Sequence, residues 1–311
     1  MPRAKKRRLS KTIGKREKVG LPRSLLSDSI LLLSHAGRAA LSEISSRCGM
    51  YVDIHTHVFH PRIAEKAKLR LTEHYKLPCR CKGTPEDLLM RAQRCGIDHC
   101  VALCAATSAA QVNPCNAYAG HLQYAYPEIT AFGSIHPDCE DWKEQIDKLR
   151  QWGVRGLKLH PDFQGFWLDD PRLLPIFEEV QHDFALMIHI GDSLPPEKNP
   201  SCPYKMAKIL DNFPDLRVIA AHLGGYRQWG HSLQALVGRN VWMDTSSCAA
   251  EISDEHLQAI LKKHPRDYII FGTDYPIRDP MEEIDALQRR TGFTSAEMDE
   301  VLSNGVNILF N

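Results

Sequence analysis

Two histidines two positions apart are the first residues whose types and spacing could perform chemistry. His55 and His57 end the run Tyr51-Val52-Asp53-Ile54-His55-Thr56-His57, and Pro61 follows shortly afterwards. Residues two apart on a strand point to the same face, so both imidazoles would project from one strand end, with Asp53 one layer below. Two neutral imidazoles that converge on one point suit a borderline transition metal such as zinc. The spacing therefore predicts part of a metal site whose other ligands lie elsewhere in the chain.

Histidine or aspartate also follows several later apolar runs, at the points where strands are predicted to end. These residues are His160, His189, His222, Asp244 and Asp274. A single histidine in such a position is usually structural. Burying so many polar side chains costs free energy unless each finds a partner, so packing alone does not explain them. The pattern favours one polar site built from the ends of several strands.

Alternating apolar and helical segments from Met50 onward predict how these residues are positioned. The predicted strands are Tyr51–Thr56, His99–Cys104, Thr130–Ile135, Gly156–Leu159, Ala185–Ile190, Arg217–Ala221, Val241–Asp244 and Tyr268–Phe271. The helices predicted between them include Pro85–Cys95, Asn116–Ala125, Trp142–Gln151, Pro171–Gln181, Tyr204–Asn212, His256–Lys263 and Met281–Arg289. Strands that are apolar throughout and regularly separated by helices indicate parallel pairing with both faces covered. Eight such units predict an α/β protein, a (β/α)8 TIM barrel rather than an open doubly wound sheet.

In such a barrel, catalytic groups come from the C-terminal ends of the strands, where the predicted histidines and aspartates lie. No glycine-rich phosphate loop follows any of the predicted strands, which argues against nucleotide binding.

The charge distribution divides the 311 residues into two parts. Residues 1–49 carry twelve Lys and Arg against three acids, whereas residues 50–311 carry 27 basic and 35 acidic residues. We expect residues 1–49 to be a basic, disordered leader and residues 50–311 to be the barrel, with Met50 beginning the working domain. An upstream start chosen in error, a signal peptide and a nucleic-acid-binding arm are the alternatives for the leader.

Ten cysteines, six of them between Cys79 and Cys115, bear on the compartment. The Cys79-Arg80-Cys81 pair resembles a metal pair but lacks the repeated C-x2-C spacing that would be persuasive. We expect free, mostly buried thiols and therefore a cytoplasmic protein, because disulfides are rare in a reducing compartment. No apolar run approaches the roughly 20 residues that a membrane span needs.

Five short segments together resemble a known family. They are Asp53-Ile54-His55-Thr56-His57, Gly156-Leu157-Lys158-Leu159-His160-Pro161, His189-Ile190-Gly191, Ala221-His222-Leu223-Gly224-Gly225 and Phe271-Gly272-Thr273-Asp274-Tyr275-Pro276. In this order they resemble the amidohydrolase superfamily, and most closely its amidohydrolase 2 branch of aminocarboxymuconate-semialdehyde decarboxylase-like metal-dependent enzymes. Asn307-Ile308-Leu309-Phe310 is similar to that branch's closing segment, with Ile308 in place of the usual alanine. The resemblance covers about residues 50–310.

The resemblance implies a role for each matching residue. One divalent metal ion, most simply zinc, would be bound by His55, His57, His189 and Asp274. His222 would stand beside the metal-bound water as general base or orienting group, and Asp274 could also accept a proton. Asp53 would be a buried carboxylate that fixes a neighbouring group, with plain packing as the alternative.

Four further residues are weaker candidates for the pocket. Lys158 could be a carboxylated metal bridge, as in some superfamily members, but an interior ion pair with Asp53 or Asp244 is favoured. His160 would either contact substrate or metal, or be structural. Tyr226 and Arg227 would lie on the rim. The segment from His60 to about Pro85 could form a lid over the site.

Three functions remain open, each with a different partner. The first is hydrolysis of a C–N, ester or lactone bond in a small molecule by metal-activated water. The second is non-oxidative decarboxylation of an aromatic or unsaturated carboxylic acid, which needs a cation such as Arg227 or Arg62 to hold the leaving carboxylate. The third is an inactive barrel with a nucleic-acid-binding basic arm, against which the retained ligand set argues. Association into a homo-oligomer is also open.

Overall fold

The computed structural model describes residues 49–310 of the chain. The predicted basic leader therefore lies outside the described residues, apart from Gly49. Within the described range, none of the helices is both long and apolar enough to cross a membrane.

Eight parallel strands follow one another around the sheet in chain order. They are β1 (Val52–Thr56), β2 (His99–Leu103), β3 (Ile129–Ser134), β4 (Gly156–Leu159), β5 (Ala185–Ile188), β6 (Arg217–Ala220), β7 (Trp242–Asp244) and β8 (Ile269–Ile270). Every neighbouring pair from β1 to β8 is hydrogen-bonded in parallel. All eight predicted strands are present, and each end differs from its prediction by at most two residues.

Backbone hydrogen bonds between β1 and the segment after β8 bring the two edges of the sheet together. The amide of Ile54 donates to the carbonyl of Phe271 at 3.0 Å, and the amide of Asp274 donates to the carbonyl of His55 at 2.8 Å. Thr56 and Tyr275 form an isolated parallel bridge further along. The predicted (β/α)8 barrel is confirmed, and this seam holds two of the predicted metal ligands side by side.

Helices separate the strands and close the chain after β8. They are α1 (Ala64–Tyr75), α2 (Pro85–Arg94), α3 (Ala109–Ala125), α4 (Trp142–Gln151), α5 (Pro161–Gln164), α6 (Leu174–Val180), α7 (Pro203–Asn212), α8 (Trp229–Ala235), α9 (Asp254–Lys263), α10 (Pro280–Thr291), α11 (Ser295–Ser303) and α12 (Gly305–Phe310), with 3-10 turns at Pro171–Leu173 and Arg266–Tyr268 and a short turn at Ala221–Gly224 after β6.

Three features of these helices differ from the predictions. Helix α1 occupies the segment predicted only as a lid, and α5, α8, α11 and α12 were not among the predicted helices. Helix α3 begins at Ala109 instead of Asn116 and continues through Pro114, whose missing N–H removes a single backbone hydrogen bond from a helix of 17 residues. The segment predicted as one helix from Pro171 begins as a 3-10 turn.

Both faces of the strands are buried, as expected for a parallel sheet covered by helices. Along β5, Ala185 and Met187 belong to one apolar cluster, whereas Leu186 and Ile188 belong to the cluster that packs against the helices. The nine cysteines in the described part of the chain are all free thiols, and most are buried. Neither Cys79 nor Cys81 belongs to any candidate metal-binding group found among residues 49–310.

Candidate metal centre

Three of the predicted ligands converge at the seam between β1 and the segment that follows β8. The Nε2 atoms of His55 and His57 lie 3.3 Å apart. Oδ1 of Asp274 lies 3.7 Å from the Nε2 atom of His55 and 3.6 Å from that of His57. Their alternation along β1 puts the two imidazoles on one face, and the backbone pairing across the seam brings in the carboxylate.

The second nitrogen of each imidazole fixes where its proton lies. Nδ1 of His55 lies 3.0 Å from Oδ2 of Asp244, and Nδ1 of His57 lies 3.2 Å from the carbonyl of Leu103. A carboxylate and a carbonyl can only accept hydrogen bonds, so each Nδ1 carries the proton and each Nε2 carries a lone pair. Burial, followed by the electrostatic effects of His55 and Lys158, lowers the pKa of His57 to about 3 and keeps this ring neutral.

This arrangement of His55, His57 and Asp274 fits a divalent cation. Two imidazole lone pairs and a carboxylate oxygen face one another, and such acceptors repel unless something positive lies between them. Within the described residues, Nζ of Lys158 is the nearby donor, at 3.4 Å from the Nε2 atom of His55. Two histidines and one carboxylate, with deprotonated donor atoms, are a ligand set that first-row divalent metals accept.

Asp244, at the end of β7, positions His55. Besides its contact with His55, it accepts hydrogen bonds from the backbone amide and the hydroxyl of Ser246. Burial raises the pKa of Asp244, but the facing His55 and these hydrogen bonds outweigh burial, and the net pKa is well below the usual range. A carboxylate that holds the distal nitrogen of a ligand histidine is a common feature of metal sites. The sequence placed Asp244 at a strand end and as a possible partner of Lys158, but it did not indicate the contact with His55.

Asp53 clamps β1 to the segment after β8, one layer below the three ligands. Its Oδ1 atom accepts hydrogen bonds from the amides of His55 at 3.2 Å and Thr273 at 3.0 Å. Its Oδ2 atom accepts a third from the hydroxyl of Thr273 at 2.7 Å. Burial nevertheless raises the pKa of Asp53 to about 7. The structure places this carboxylate as a support for the backbone that carries the ligands.

His189 and His222 form a second couple of imidazoles next to the first. The Nδ1 atom of His189 and the Nε2 atom of His222 lie 3.1 Å apart. The other nitrogen of His189 meets the carbonyl of Gly191 at 3.0 Å, and that of His222 meets the carbonyl of Ser246 at 2.9 Å. Both outer nitrogens therefore donate, and two lone pairs again face each other. Burial lowers the pKa of both rings, which disfavours a proton between them.

His189 does not join His55, His57 and Asp274 in one compact group. The groups of side chains whose ligand atoms lie within 4.8 Å of one another are His55–His57–Asp274, His55–His222–Asp244 and His160–Asp162–His189. The ring of His189 stacks on that of His160, with centroids 3.9 Å apart. The predicted fourth ligand therefore lies next to the three convergent ones, connected to them through His222.

Lys158 is fully buried between the predicted ligands, and its expected ion pair is absent. It contacts the Nε2 atom of His55 and forms no ion pair with Asp53 or Asp244, so that expectation was wrong. Burial lowers the pKa of Lys158 to about 8, against the opposing effect of Asp244 and Asp274.

His160 and a tyrosine that sequence reasoning missed form the wall opposite β1. The Nδ1 atom of His160 accepts from the amide of Phe163, so its Nε2 carries a proton and donates to the hydroxyl of Tyr75 at 3.1 Å. Tyr75 belongs to α1. The predicted lid thus contributes a helix that carries an aromatic hydroxyl into the site, and no spacing in the sequence indicated this.

The two predicted rim residues differ in their position. Tyr226 is buried and donates from its hydroxyl to Glu251 at 2.7 Å, with its ring 5.5 Å from that of His222. Arg227 donates to Glu251 at 2.8 Å and to Ser193 at 3.1 Å, and it does not line the cleft beside the ligands. Ser247, which sequence reasoning missed, donates to Oδ2 of Asp274 at 2.7 Å.

Two spaces open onto the convergent ligands. The smaller, of about 10 Å³, is lined by Tyr75, His189, His222, Tyr226 and Asp274 among others. That volume is close to the minimum for one water molecule. The larger is a cleft of about 800 Å³, which runs from the ligands along α1 and the start of α3. Most of its wall is apolar.

The fold and this site define a (β/α)8 barrel with a candidate metal centre at the C-terminal ends of its strands. The family model described as amidohydrolase matches residues 52–304, and the chain belongs to this family of enzymes, in its amidohydrolase 2 branch. No curated protein matches the chain with significance.

Solved structures of decarboxylases and of a hydrolase are similar to the chain. A 2,6-dihydroxybenzoate decarboxylase from Rhizobium is 16% identical, with a TM-score of 0.62 over 84% of this chain and 98% of that one. A 5-carboxyvanillate decarboxylase from Novosphingobium aromaticivorans, complexed with manganese, is 14% identical, with a TM-score of 0.63 over 85% and 97%. A protein from Pseudomonas putida assigned as a 2-pyrone-4,6-dicarboxylic acid hydrolase is 15% identical, with a TM-score of 0.58 over 83% and 97%. At these identities the similarity supports the fold.

Proposed function

We propose that the protein is a metal-dependent decarboxylase of an aromatic or unsaturated carboxylic acid. The observation that carries the proposal is the cleft, because an apolar wall leads directly to a centre of buried imidazoles and a lysine. This favours the second of the three functions that the sequence left open. The relatives of similar structure include decarboxylases of aromatic acids.

His55, His57 and Asp274 would hold one divalent ion, with His189 as the proposed fourth ligand. When bound, such an ion acts as a Lewis acid towards a carboxylate or carbonyl oxygen and can lower the pKa of water. Zinc stays a prediction, because the same donor atoms also accept manganese, the metal in one relative of similar structure.

The residues around the centre favour binding of a carboxylate and its conversion to uncharged carbon dioxide. Lys158 contacts His55 and lines the cleft, so its ammonium group can attract the carboxylate of an incoming acid. Apolar side chains such as Leu103 and Ile277 line the same space and exclude water from the bound acid. Loss of carbon dioxide removes charge from this apolar surrounding. The sequence offered Arg62 or Arg227 as the cation that holds the leaving carboxylate, but neither lines the cleft. Lys158 is the cation that we assign to this role.

A decarboxylase must also deliver one proton to the carbon that loses the carboxyl group. His222 is placed to do so, since it lines both the cleft and the small space beside Asp274. Burial lowers the pKa of His222, so the ring is neutral at rest. Once it has taken up a proton from solvent, it is a stronger acid than a histidine in water and can pass that proton to the carbon.

Hydrolysis of an ester, lactone or C–N bond is the second candidate. The space of about 10 Å³ between His222 and Asp274 favours it, because one water molecule there would have an imidazole and a carboxylate as partners. A decarboxylase would not need that water in its chemical step.

The experiment follows purified full-length protein, loaded with manganese or with zinc, on a panel of aromatic acids, lactones and amides. We expect carbon dioxide release from an aromatic or unsaturated acid and, in D2O, one deuterium on the carbon that carried the carboxyl group. His57→Ala should abolish turnover. Arg227→Gln, which changes a charge outside the cleft, should retain it. A product that has gained one water molecule, formed without release of carbon dioxide, would show that the protein is a hydrolase and that the decarboxylase assignment is wrong.

A further inference from the structure

One face of α1 forms a long wall of the cleft. Ile63, Lys66, Ala67, Arg70 and Leu71 line it, at spacings of three and four residues that place them on the same side of a helix. Ala64 is the one buried residue of α1, and Tyr75 at the other end of the helix contacts His160 beside the metal centre. At 1.5 Å per residue, Lys66 and Arg70 lie roughly 14 and 8 Å along the helix from Tyr75, away from that centre.

The opposite wall carries no charge. It includes Leu103 at the end of β2, Cys104 directly after it, and Gln111, Pro114, Cys115 and Tyr118 on α3. Apart from Lys158 and Asp274 at the metal centre, the charged side chains that line the cleft are Lys66 and Arg70. Among the described residues, no carboxylate forms an ion pair with Lys66 or Arg70, whereas Lys68 on the same helix pairs with Glu65 at 2.8 Å.

The volume of the cleft exceeds what a single-ring acid needs. At about 800 Å³ it lies in the upper part of the range of roughly 300–1,000 Å³ over which pockets bury drug-sized ligands. A small aromatic acid bound at the metal centre would leave most of the apolar wall exposed to water. Burial of that wall contributes to the binding free energy only when the ligand extends along it.

We propose that the substrate is an elongated, mainly apolar acid with a second anionic group at its far end. One carboxylate faces the metal centre, the apolar body lies between α1 and α3, and the distal anion meets Lys66 and Arg70. The first part rests on the proposed function. The second rests on the charge and volume of the cleft and can be tested by binding alone.

The test measures dissociation constants of the metal-loaded, full-length protein for benzoate, biphenyl-4-carboxylate and biphenyl-4,4′-dicarboxylate by titration calorimetry. We expect affinity to rise in that order. The double variant Lys66→Gln/Arg70→Gln should weaken the dicarboxylate by about fivefold and leave the monocarboxylates within about twofold, as expected for two exposed charge pairs. Lys68→Gln/Lys76→Gln removes the same charge from residues that do not line the cleft, and should change none of the three.

Two results would overturn the proposal. One is equal affinity for benzoate and the biphenyl acids, and the other is the same loss of dicarboxylate binding in both double variants. A separate outcome concerns the proposed function only. If the affinity series holds and no acid of the panel loses carbon dioxide, the cleft assignment stands and the decarboxylase assignment fails.

Discussion

At the scale of single residues, the positions of protons decide what the centre can bind. His55 and His57 could have pointed either nitrogen at the cleft. Asp244 and the carbonyl of Leu103 hold the Nδ1 protons and leave the Nε2 lone pairs facing Asp274. The alternation of histidines along β1 could be predicted from sequence, but the partner of each Nδ1 could not, because it comes from another strand.

Replacing Asp244 tests this assignment of protons. In Asp244→Asn the side-chain amide can donate to Nδ1 of His55, which moves the ring proton to Nε2 and blocks that lone pair. We expect metal affinity to fall about 10- to 100-fold, measured by competition with a chromogenic chelator. Asp211→Asn, which changes an exposed ion pair with Arg239, is the matched control. Unchanged metal affinity in Asp244→Asn would show that Asp244 does not position His55 for metal binding.

At the scale of elements, the seam between β1 and the segment after β8 is held by Asp53. Asp53→Ala leaves three buried donors, the amides of His55 and Thr273 and the hydroxyl of Thr273, without their acceptor. We expect the free energy of unfolding to fall by roughly 3 kcal/mol in urea denaturation. Thr273→Val removes one of the three donors and also the acceptor of the Tyr275 amide, and should cost about 2 kcal/mol. Equal, small losses in both variants would show that Asp53 is not the clamp.

Helix α10 carries a buried acid whose ionisation should make stability depend on pH. Burial raises the pKa of Glu283 to about 7, although Arg278 opposes this. The folded state therefore binds this proton more tightly than the unfolded state. The resulting stability is present below about pH 4.5 and is lost as pH rises to about 7.

The measurement compares the wild type with Glu283→Gln by urea denaturation at several pH values. We expect the wild type to lose roughly 3 kcal/mol relative to the variant across this pH window and no more above it. Other titrating groups act equally in both proteins, so the difference isolates Glu283. A pH-independent difference would contradict the assignment.

The strands, which are continuous apolar runs, could be predicted from sequence more completely than the helices. All eight strands are buried on both faces and were predicted to within two residues. Helix α1 was missed because it buries only Ala64 and so has no apolar stripe. This gap matters for function, since α1 contributes Tyr75, Lys66 and Arg70 to the walls above the centre.

At the scale of the whole molecule, the barrel explains why residues so distant in sequence could be assigned to one site. Parallel strands deliver their C-terminal ends to one rim, so each histidine or aspartate at a strand end was expected there. The rim does not determine which nitrogen points where, and His189 accordingly lies with His160 and His222 beside the three convergent ligands. The nature of the substrate depends on the helices above the rim.

The central claim is that this rim binds a divalent metal, and elemental analysis of the full-length protein tests it most directly. We expect about one manganese- or zinc-like ion per chain after dialysis against both metals, and loss of that ion in His55→Ala/His57→Ala. His121→Ala/His182→Ala, which removes two exposed histidines outside the site, should retain it. A folded wild-type protein that contains no divalent metal and takes none up would contradict the account.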